Sequence, residues 1–265
     1  MASNFKSSLT IAHIGTATAI IDIGGIKFLT DPFFSPAGNE WDLGIVLLKN
    51  SVTPAVAIES LPPIDAVLLS HEDHPDNLDE LGRRILDGRH VLTTPDGATK
   101  LAPRPGVRAI QPWQTITWRI AGKEFEVTGT PCKHLPGGEC TGFVITAGGF
   151  GVAADGKPNA IYISGDTVYI EELRQIAERW NVLVAVLHFG KAEVSTPNGV
   201  LQLTMDGKQG ARLFRELGAD ILVPVHFDSW AHFAQHGEAL KKELEDEGVG
   251  EKVLWLEPGK ATKVL

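Results

Sequence analysis

Four histidine and aspartate residues of this 265-residue sequence stand directly after apolar runs, where strands are expected to end. The runs IDAVLLS, FEVTGTPCK, AIYISG and DILVPV lead into His71, His134, Asp166 and His226, respectively. Loops just past strand ends are where a rigid scaffold can present side chains to one cleft. A single histidine after a strand is usually a structural residue whose hydrogen bonds are made within the fold. Four polar residues in this position, however, favour a shared site.

The segment HEDHPDN, residues 71–77, concentrates more side chains of the same types. Imidazole nitrogens and carboxylate oxygens together suit divalent zinc, iron or manganese. The sequence therefore predicts a metal site, with one or two Zn²⁺ ions as the first expectation and Mn²⁺ or iron as alternatives. Other roles stay open for the acids: Asp76 could be a helix N-cap, and Glu72 and Asp73 could be solvated turn carboxylates.

Hydrophobic patterning indicates the elements that position these residues. Apolar runs at 9–14, 18–23 and 26–30 surround Gly24-Gly25 and predict an opening β-hairpin. Residues 31–60 are expected to form a long loop or flap with one short helix.

From residue 64 onward, apolar runs and helical spacing alternate. The predicted strands are 64–70, 90–93, TITWRI, KEFEVTGT, TGFVIT, AIYISGD, VLVAVLHFG, DILVPVH and KVLWLEP. The predicted helices are 77–86, EELRQIAERW, DGKQGARLFRELG and one near ALKKELEDE, with a turn or helix around PDGATKLA. Two groups of strands with helices predict an α/β fold of two packed sheets with helices outside.

Composition limits the class of protein. With 43% hydrophobic and 22% charged residues the chain is globular, and we expect a single domain over residues 1–265. A net charge of −9 disfavours a nucleic-acid partner. No apolar run approaches the ~18 residues of a membrane span, and MASNFKSSLT lacks the apolar region of an export signal. Two cysteines then suggest a reducing compartment, so we expect a cytoplasmic protein with a small-molecule substrate and leave its oligomeric state open.

The order of these motifs resembles the metallo-β-lactamase superfamily: a strand ending in Ser-His, an acidic loop with histidine, then His, Asp and His at later strand ends. HIGTATAIID with LTDPFF is similar to the branch of UlaG-like lactonases and N-acyl-phosphatidylethanolamine phospholipases. The resemblance runs from His13 to the final strand. It implies an αββα sandwich of two mixed β-sheets with helices on the outer faces, and a metal site at one edge between the sheets.

The family motif His-x-His-x-Asp-His is altered here in two ways. One extra residue separates the two histidines, and Asn77 stands where the last histidine belongs. Aligned from the right, His74 and Asp76 match the motif. The first ligand is then His71 if the loop bulges by one residue, or Glu72 if it does not.

The resemblance implies a role for each candidate ligand. His134 completes the first metal's ligands, Asp166 bridges two metals and His226 binds the second. The metal-ligand set is His71, His74, Asp76, His134, Asp166 and His226. Because an amide oxygen is a poor zinc ligand, Asn77 predicts a first metal held tightly and a second that is labile or absent.

Further residues are expected near the substrate or behind the ligands. They are His13, Asp73, Asn77, His188, Trp230 and His232. His13 could instead be a hydrogen-bond partner at a strand end, and Trp230 and His232 could line the pocket mouth or merely pack. Phe33, Phe34, Trp41 and Trp230 are expected to form the pocket wall.

The function this pattern favours is metal-dependent hydrolysis. A metal-bound hydroxide attacks a carbonyl carbon of a small-molecule amide or ester, first of all a lactam or lactone. Asp76 and His74 are the catalytic candidates, with Asp76 orienting the nucleophile and passing a proton to the leaving group. The alternatives are a phosphodiester hydrolase acting on phospholipids or nucleotides, a metal-binding protein with reduced catalysis, and an oxygen-using iron protein on the same ligands.

Overall fold

Two β-sheets pack face to face in the computed structural model, which describes residues 4–44 and 46–265. In these ranges the strands are β1 Leu9–Gly15, β2 Thr18–Ile23, β3 Ile26–Thr30, β4 Glu40–Asp42, β5 Leu47–Lys49, β6 Ala66–Leu68, β7 His90–Thr93, β8 Val107–Ala109, β9 Thr115–Ile120, β10 Lys123–Pro131, β11 Thr141–Ala147, β12 Asn159–Ile163, β13 Asn181–His188, β14 Glu193–Thr196, β15 Gly199–Gln202, β16 Ile221–Val225 and β17 Thr262–Lys263.

Five α-helices and four short 3-10 turns complete the described elements. The helices are α1 Glu80–Ile85, α2 Pro95–Leu101, α3 Gln175–Arg179, α4 Gly207–Leu217 and α5 Gly237–Asp246. The 3-10 turns are Ile58–Ser60, Gly148–Phe150, Glu171–Arg174 and Gly250–Lys252. Within the described ranges, none of the helices has both the length and the apolar character needed to cross a membrane.

Both sheets mix parallel and antiparallel strands. The first has the order β17-β1-β2-β3-β6-β7-β8, antiparallel as far as β3 and parallel from there to β8. The second has the order β16-β13-β12-β11-β10-β9, with β9 to β12 antiparallel and β12, β13 and β16 parallel. The hairpins β4–β5 and β14–β15 form two further small sheets.

Alternating side chains build the core between the sheets. In β9, Ile116, Trp118 and Ile120 are buried while the residues between them are exposed. Phe28 of the first sheet meets Phe125 of the second edge-on, with ring centroids 5.0 Å apart. Helices α1 and α2 cover the outer face of the first sheet, and α3, α4 and α5 that of the second. The predicted αββα sandwich is confirmed.

The candidate ligands gather because several strands end at one edge. Parallel strands β12, β13 and β16 run side by side, so Asp166, His188 and His226 all lie at or just past their carboxyl ends. His134 follows β10 of the same sheet, and His71 follows β6 of the first sheet. The edge between the two sheets is therefore the place where all five side chains meet.

Several sequence-based expectations on elements were wrong. Helix α1 begins at Glu80 rather than residue 77, and its N-cap is Asp79, whose side chain accepts a hydrogen bond from the Gly82 amide. Asp76 is therefore not a helix cap, and neither is Asn77. KVLWLEP pairs with β16 through a single bridge at Val253 and is not a strand of the sheet.

The segment 31–60 also differs from the expected loop, apart from residue 45, which lies outside the described residues. It carries the hairpin β4–β5, and its only helical turn among the described residues is the 3-10 turn Ile58–Ser60. Hydrogen bonds from Ser51 N to Ser229 O and from Ala231 N to Lys49 O tie this hairpin to the chain after β16. The segment is thus anchored at its base rather than loose.

Candidate metal centre

Three histidines converge in the first cluster. His71 Nε2 lies 3.0 Å from His74 Nδ1, and His134 Nε2 lies 3.1 Å from the same atom. Two ligands of one tetrahedral zinc, each at about 2.0–2.1 Å from the ion, lie roughly 3.4 Å apart. Three imidazoles at nearly that spacing form a donor set that a divalent transition metal fits, with one position left open for water or substrate.

The second cluster consists of Asp166, His188 and His226, all buried. One ligand atom from each lies within 4.8 Å of those from the other two. His188 Nδ1 is 2.8 Å from Asp166 Oδ1, and His226 Nδ1 is 3.6 Å from the same oxygen. Two imidazoles and a carboxylate are again a donor set for zinc, iron or manganese.

Asp76 connects the second cluster with the loop of the first. Its Oδ2 lies 3.6 Å from His226 Nε2. Its Oδ1 is buried and, like Asp166 Oδ2 and the Nε2 atoms of His188 and His226, has no hydrogen-bond partner in the described part of the chain. Buried polar atoms are nearly always satisfied. One cation could be shared by Asp166, His188 and His226, since a ligand atom of each lies within 4.8 Å of those of the other two, and it would reduce this lack of partners.

Burial sets the protonation of the imidazoles. It lowers the pKa of His71 well below the usual range, with His74 and His134 adding to the effect, and it also lowers the pKa values of His134 and His188. Neutral imidazole is the form that binds metal. These three side chains are therefore ready to act as ligands at neutral pH.

His226 behaves differently because of the carboxylates around it. Burial alone lowers its pKa, but Asp166 and Asp76 outweigh burial and raise the pKa to about 9. Burial likewise acts to raise the pKa of both carboxyls, yet His226 and His188 beside Asp166, and His226 and His74 beside Asp76, hold those pKa values low. The two carboxylates thus attract positive charge, which a divalent cation supplies as a proton does.

A hydrogen-bond chain positions the loop that follows β6. Ser70 Oγ lies 2.8 Å from His71 Nδ1, and Asn77 Nδ2 donates to Ser70 Oγ at 3.3 Å. The Ser70 amide donates to Asp31 Oδ1 at 2.6 Å. Because His71 Nδ1 is held in this way, its Nε2 faces the other two histidines. Ser70 and Asp31 lie within the quoted Ser-His and LTDPFF motifs, but neither was predicted to be a site residue.

The structure places His71, and not Glu72, in the first cluster. Glu72 Oε1 is 2.6 Å from Arg83 Nη2, and its other oxygen is 3.8 Å from Lys100 Nζ. Asp73 is exposed. Its side chain approaches Gly138 in the loop after His134, where an added Cβ would lie 3.0 Å from Asp73 Oδ2. Neither acid joins the three-histidine cluster, so the loop holds its extra residue while His71 keeps its place among the three imidazoles.

A small apolar cavity lies over the ligands. Its lining combines His74, Asp76, His134, Asp166, His226 and His232 with Leu43, Val46, Leu48, Leu135, Ala192, Val194 and Leu203. The free volume is about 30 Å³, room for very few water molecules. The hairpins β4–β5 and β14–β15 contribute much of this aliphatic wall, and none of the lining residues in the described ranges is Lys or Arg.

The expected aromatic wall was wrong. Trp230 and Phe33 are fully buried and pack edge to face at 5.1 Å, with Trp41 against both. They belong to the same apolar cluster as the lining residue Leu48, but they do not line the cavity themselves. Phe34 packs in the cluster under α1 and α2. Aliphatic side chains rather than aromatic rings therefore face the candidate substrate.

The remaining candidates divide between the cavity and its surroundings. His232 lines the cavity, and its Nδ1 is buried without a hydrogen-bond partner among the described residues. His13 Nε2 donates to the Thr16 carbonyl at 3.0 Å, which is the strand-end role considered for it, and it lines a separate surface groove with Trp255.

Comparison with known proteins agrees with the geometry. Residues 27–227 match the family described as Beta-lactamase superfamily domain. A UPF0173 metal-dependent hydrolase of Methanopyrus kandleri is 26% identical over 259 residues, covering 96% of this chain and 99% of its own length.

Two solved structures share the fold. An isothiocyanate hydrolase from Delia radicum gut bacteria superposes with a TM-score of 0.77 at 21% identity, over 96% of this chain and 100% of that one. Igni18, a metallo hydrolase from Ignicoccus hospitalis, gives a TM-score of 0.73 at 20% identity, over 97% and 99%. The resemblance drawn from the order of motifs is therefore confirmed, and this chain belongs to the beta-lactamase superfamily.

Proposed function

We propose that this protein is a metal-dependent hydrolase that cleaves an amide or ester bond of a small uncharged molecule, with a lactam or lactone as the first substrate class. The observation that carries the proposal is a pair of ligand clusters, four of whose six side chains line a small and largely aliphatic cavity. The metal-dependent hydrolase of Methanopyrus kandleri, similar over nearly the whole chain, supports the reaction type.

The metal would be held by His71, His74 and His134, with a second ion at the other cluster. A divalent ion there supplies hydroxide at neutral pH, because it lowers the pKa of water from ~15.7 to about 7, and it stabilises negative charge on the carbonyl oxygen. Zinc is the first choice for this donor set, with manganese and iron as alternatives.

Asp76 is the residue best placed to move protons. It lines the cavity, its Oδ1 has no hydrogen-bond partner in the described ranges, and its low pKa keeps the carboxylate charged. From this position it can orient a nucleophilic water and pass a proton to the departing oxygen or nitrogen. Leu48, Val194 and Leu203 line the same cavity, and apolar side chains beside the carboxylate strengthen its electrostatic interactions.

Phosphodiester cleavage ranks second because the cavity lacks a cationic side chain for phosphate. Arg and Lys are the usual phosphate partners. Lys191 has its ammonium group 3.5 Å from Glu193, and Lys133 is exposed; neither lines the cavity. An uncharged substrate suits this wall better.

The proposal is tested with a substrate panel. Metal-reconstituted protein is assayed against lactones, lactams, a small isothiocyanate and bis(4-nitrophenyl) phosphate. We expect ring opening of a lactone or lactam, and Asp76→Asn to lower kcat/KM by about 10²–10⁴-fold. Asp220→Asn, an exposed aspartate just before β16, should leave kcat/KM unchanged. Cleavage of the phosphodiester alone would reverse the ranking.

A further inference from the structure

We propose that His188 supplies the imidazole missing from position 77, so that a second metal is held by Asp166, His188 and His226. The inference rests on the proposed metal-dependent function and says which side chains make its second site. It replaces the expectation of a weak or absent second metal, which counted Asp76, Asp166 and His226 alone.

Asn77 already has another contact. Its side-chain amide donates to Ser70 Oγ, whose oxygen in turn lies 2.8 Å from His71 Nδ1. The residue is fully buried, so this contact is not exchanged with water. Its Oδ1 has no hydrogen-bond partner in the described ranges, so this oxygen is an alternative to His188 as a ligand of the second metal. An amide oxygen, however, is a poor ligand for zinc. Asn77 thus supports the first cluster.

The sheet places His188 where a ligand is needed. It is the last residue of β13, which lies between β12 and β16, and it pairs in register with Val225. Asp166 and His226 follow the two flanking strands. Parallel strands in register bring their ends together, so the three side chains meet without help from the loop 71–77.

The contacts of His188 are incomplete without a cation. One ring nitrogen, Nδ1, lies 2.8 Å from Asp166 Oδ1, whereas Nε2 is buried with no partner among the described residues. In a purely structural histidine–aspartate pair, the second nitrogen of a fully buried ring normally finds a donor or acceptor. Asp166 Oδ2 and His226 Nε2 are unsatisfied in the same way within the described part of the chain. Three incomplete groups of metal-binding type in one cluster favour a shared ion.

The test uses the full chain labelled with ¹⁵N in its nine histidines, freed of metal and titrated with Zn²⁺. The ring nitrogens of His71, His74 and His134 should move to metal-bound shifts with one equivalent, and those of His188 and His226 with the next. The bound nitrogens should then stop responding to pH. If His226 becomes metal-bound while His188 keeps its metal-free shifts and pH response, the inference is wrong. Binding of no metal at all would instead overturn the proposed function.

Variants test the same assignment by metal content. After desalting from excess Zn²⁺, His188→Gln should retain one equivalent and lose the second, with binding weakened at least 10–100-fold. Asn77→Ala should keep the second equivalent, as should His236→Gln, whose side chain is 54% exposed. Two tightly held metals in His188→Gln, or loss of the second metal in Asn77→Ala alone, would contradict the role of His188. The titration of the unmodified protein stands even if a variant fails to fold.

Discussion

Asp31 is a buried carboxyl beneath the candidate site, and its pKa depends on its surroundings there. Its Oδ1 accepts the Ser70 amide, so it holds the strand end from which His71 projects. Burial raises the pKa of Asp31 to about 8, and nearby Asp166 adds to the rise. In metal-free protein this aspartic acid therefore keeps its proton through much of the neutral range, unlike Asp76 and Asp166.

This difference predicts how stability depends on pH. The unfolded pKa of an aspartate is about 3.9, so between about pH 4 and about pH 8 the folded chain binds the extra proton. Stability contributed through Asp31 consequently falls as pH rises. Asp31→Asn keeps an oxygen for Ser70 but carries no titrating group. Urea unfolding of the chelated proteins is measured at about pH 5 and about pH 8. The free energy of unfolding of the variant, relative to that of the wild type, should be higher at about pH 8 than at about pH 5. A difference that is the same at both values would contradict the account.

Sequence patterning predicted the elements that carry long apolar runs. Strands β9 to β13 and β16, with helices α2, α4 and α5, lie where alternation or helical spacing indicated them. The hairpins β4–β5 and β14–β15 were missed because strands of three or four residues, half of them exposed, have too short a pattern. The run KVLWLEP was wrongly predicted to be a strand because its apolar residues are covered in another way. Trp255 is partly buried and packs edge-on against Phe227, without the hydrogen bonds of a sheet.

The residues of the candidate site could be predicted from the sequence, but their side-chain directions could not. Histidines and aspartates at strand ends indicated the two clusters, and a bulge in the loop was needed to choose His71 over Glu72. What could not be predicted depends on side-chain direction: Asn77 faces Ser70, and His188 faces Asp166. The cavity wall was predicted with the wrong residues because the packing of Trp230 on Phe33 cannot be deduced from spacing.

Helix α4 must approach the second sheet closely at Gly210. A Cβ at this position would lie 2.1 Å from Phe189 Cε1, and Phe189 follows His188. We expect Gly210→Ala to destabilise the protein, since overpacking costs about 1–3 kcal/mol and exceeds the ~1 kcal/mol gained in helix propensity. Lys208→Ala, an exposed position of the same helix, is the control. Thermal unfolding of metal-free protein measures the effect. A melting temperature equal to or above that of the wild type would show that α4 is not held this closely.

At the scale of the whole molecule, the ligands gather at one edge where the two sheets meet. His71 and His74 come from the first sheet, and the other four come from strand ends of the second sheet. The first cluster comes from loops after β6 and β10, and the second from the ends of β12, β13 and β16. The hairpins β4–β5 and β14–β15 then cover the ligands with aliphatic side chains. This aliphatic cover, which has no Lys or Arg among its described lining residues, is the feature on which the proposal of a small uncharged substrate rests.

The central claim is that the bound metal is required for hydrolysis, and a metal titration of turnover tests it most directly. Chelated protein is given increasing Zn²⁺, and lactone opening is followed together with the metal bound per chain. The account predicts no turnover in the chelated protein and activity that rises with bound metal up to two equivalents. Undiminished turnover by the metal-free protein, or full metal binding without turnover of any substrate in the panel, would contradict it.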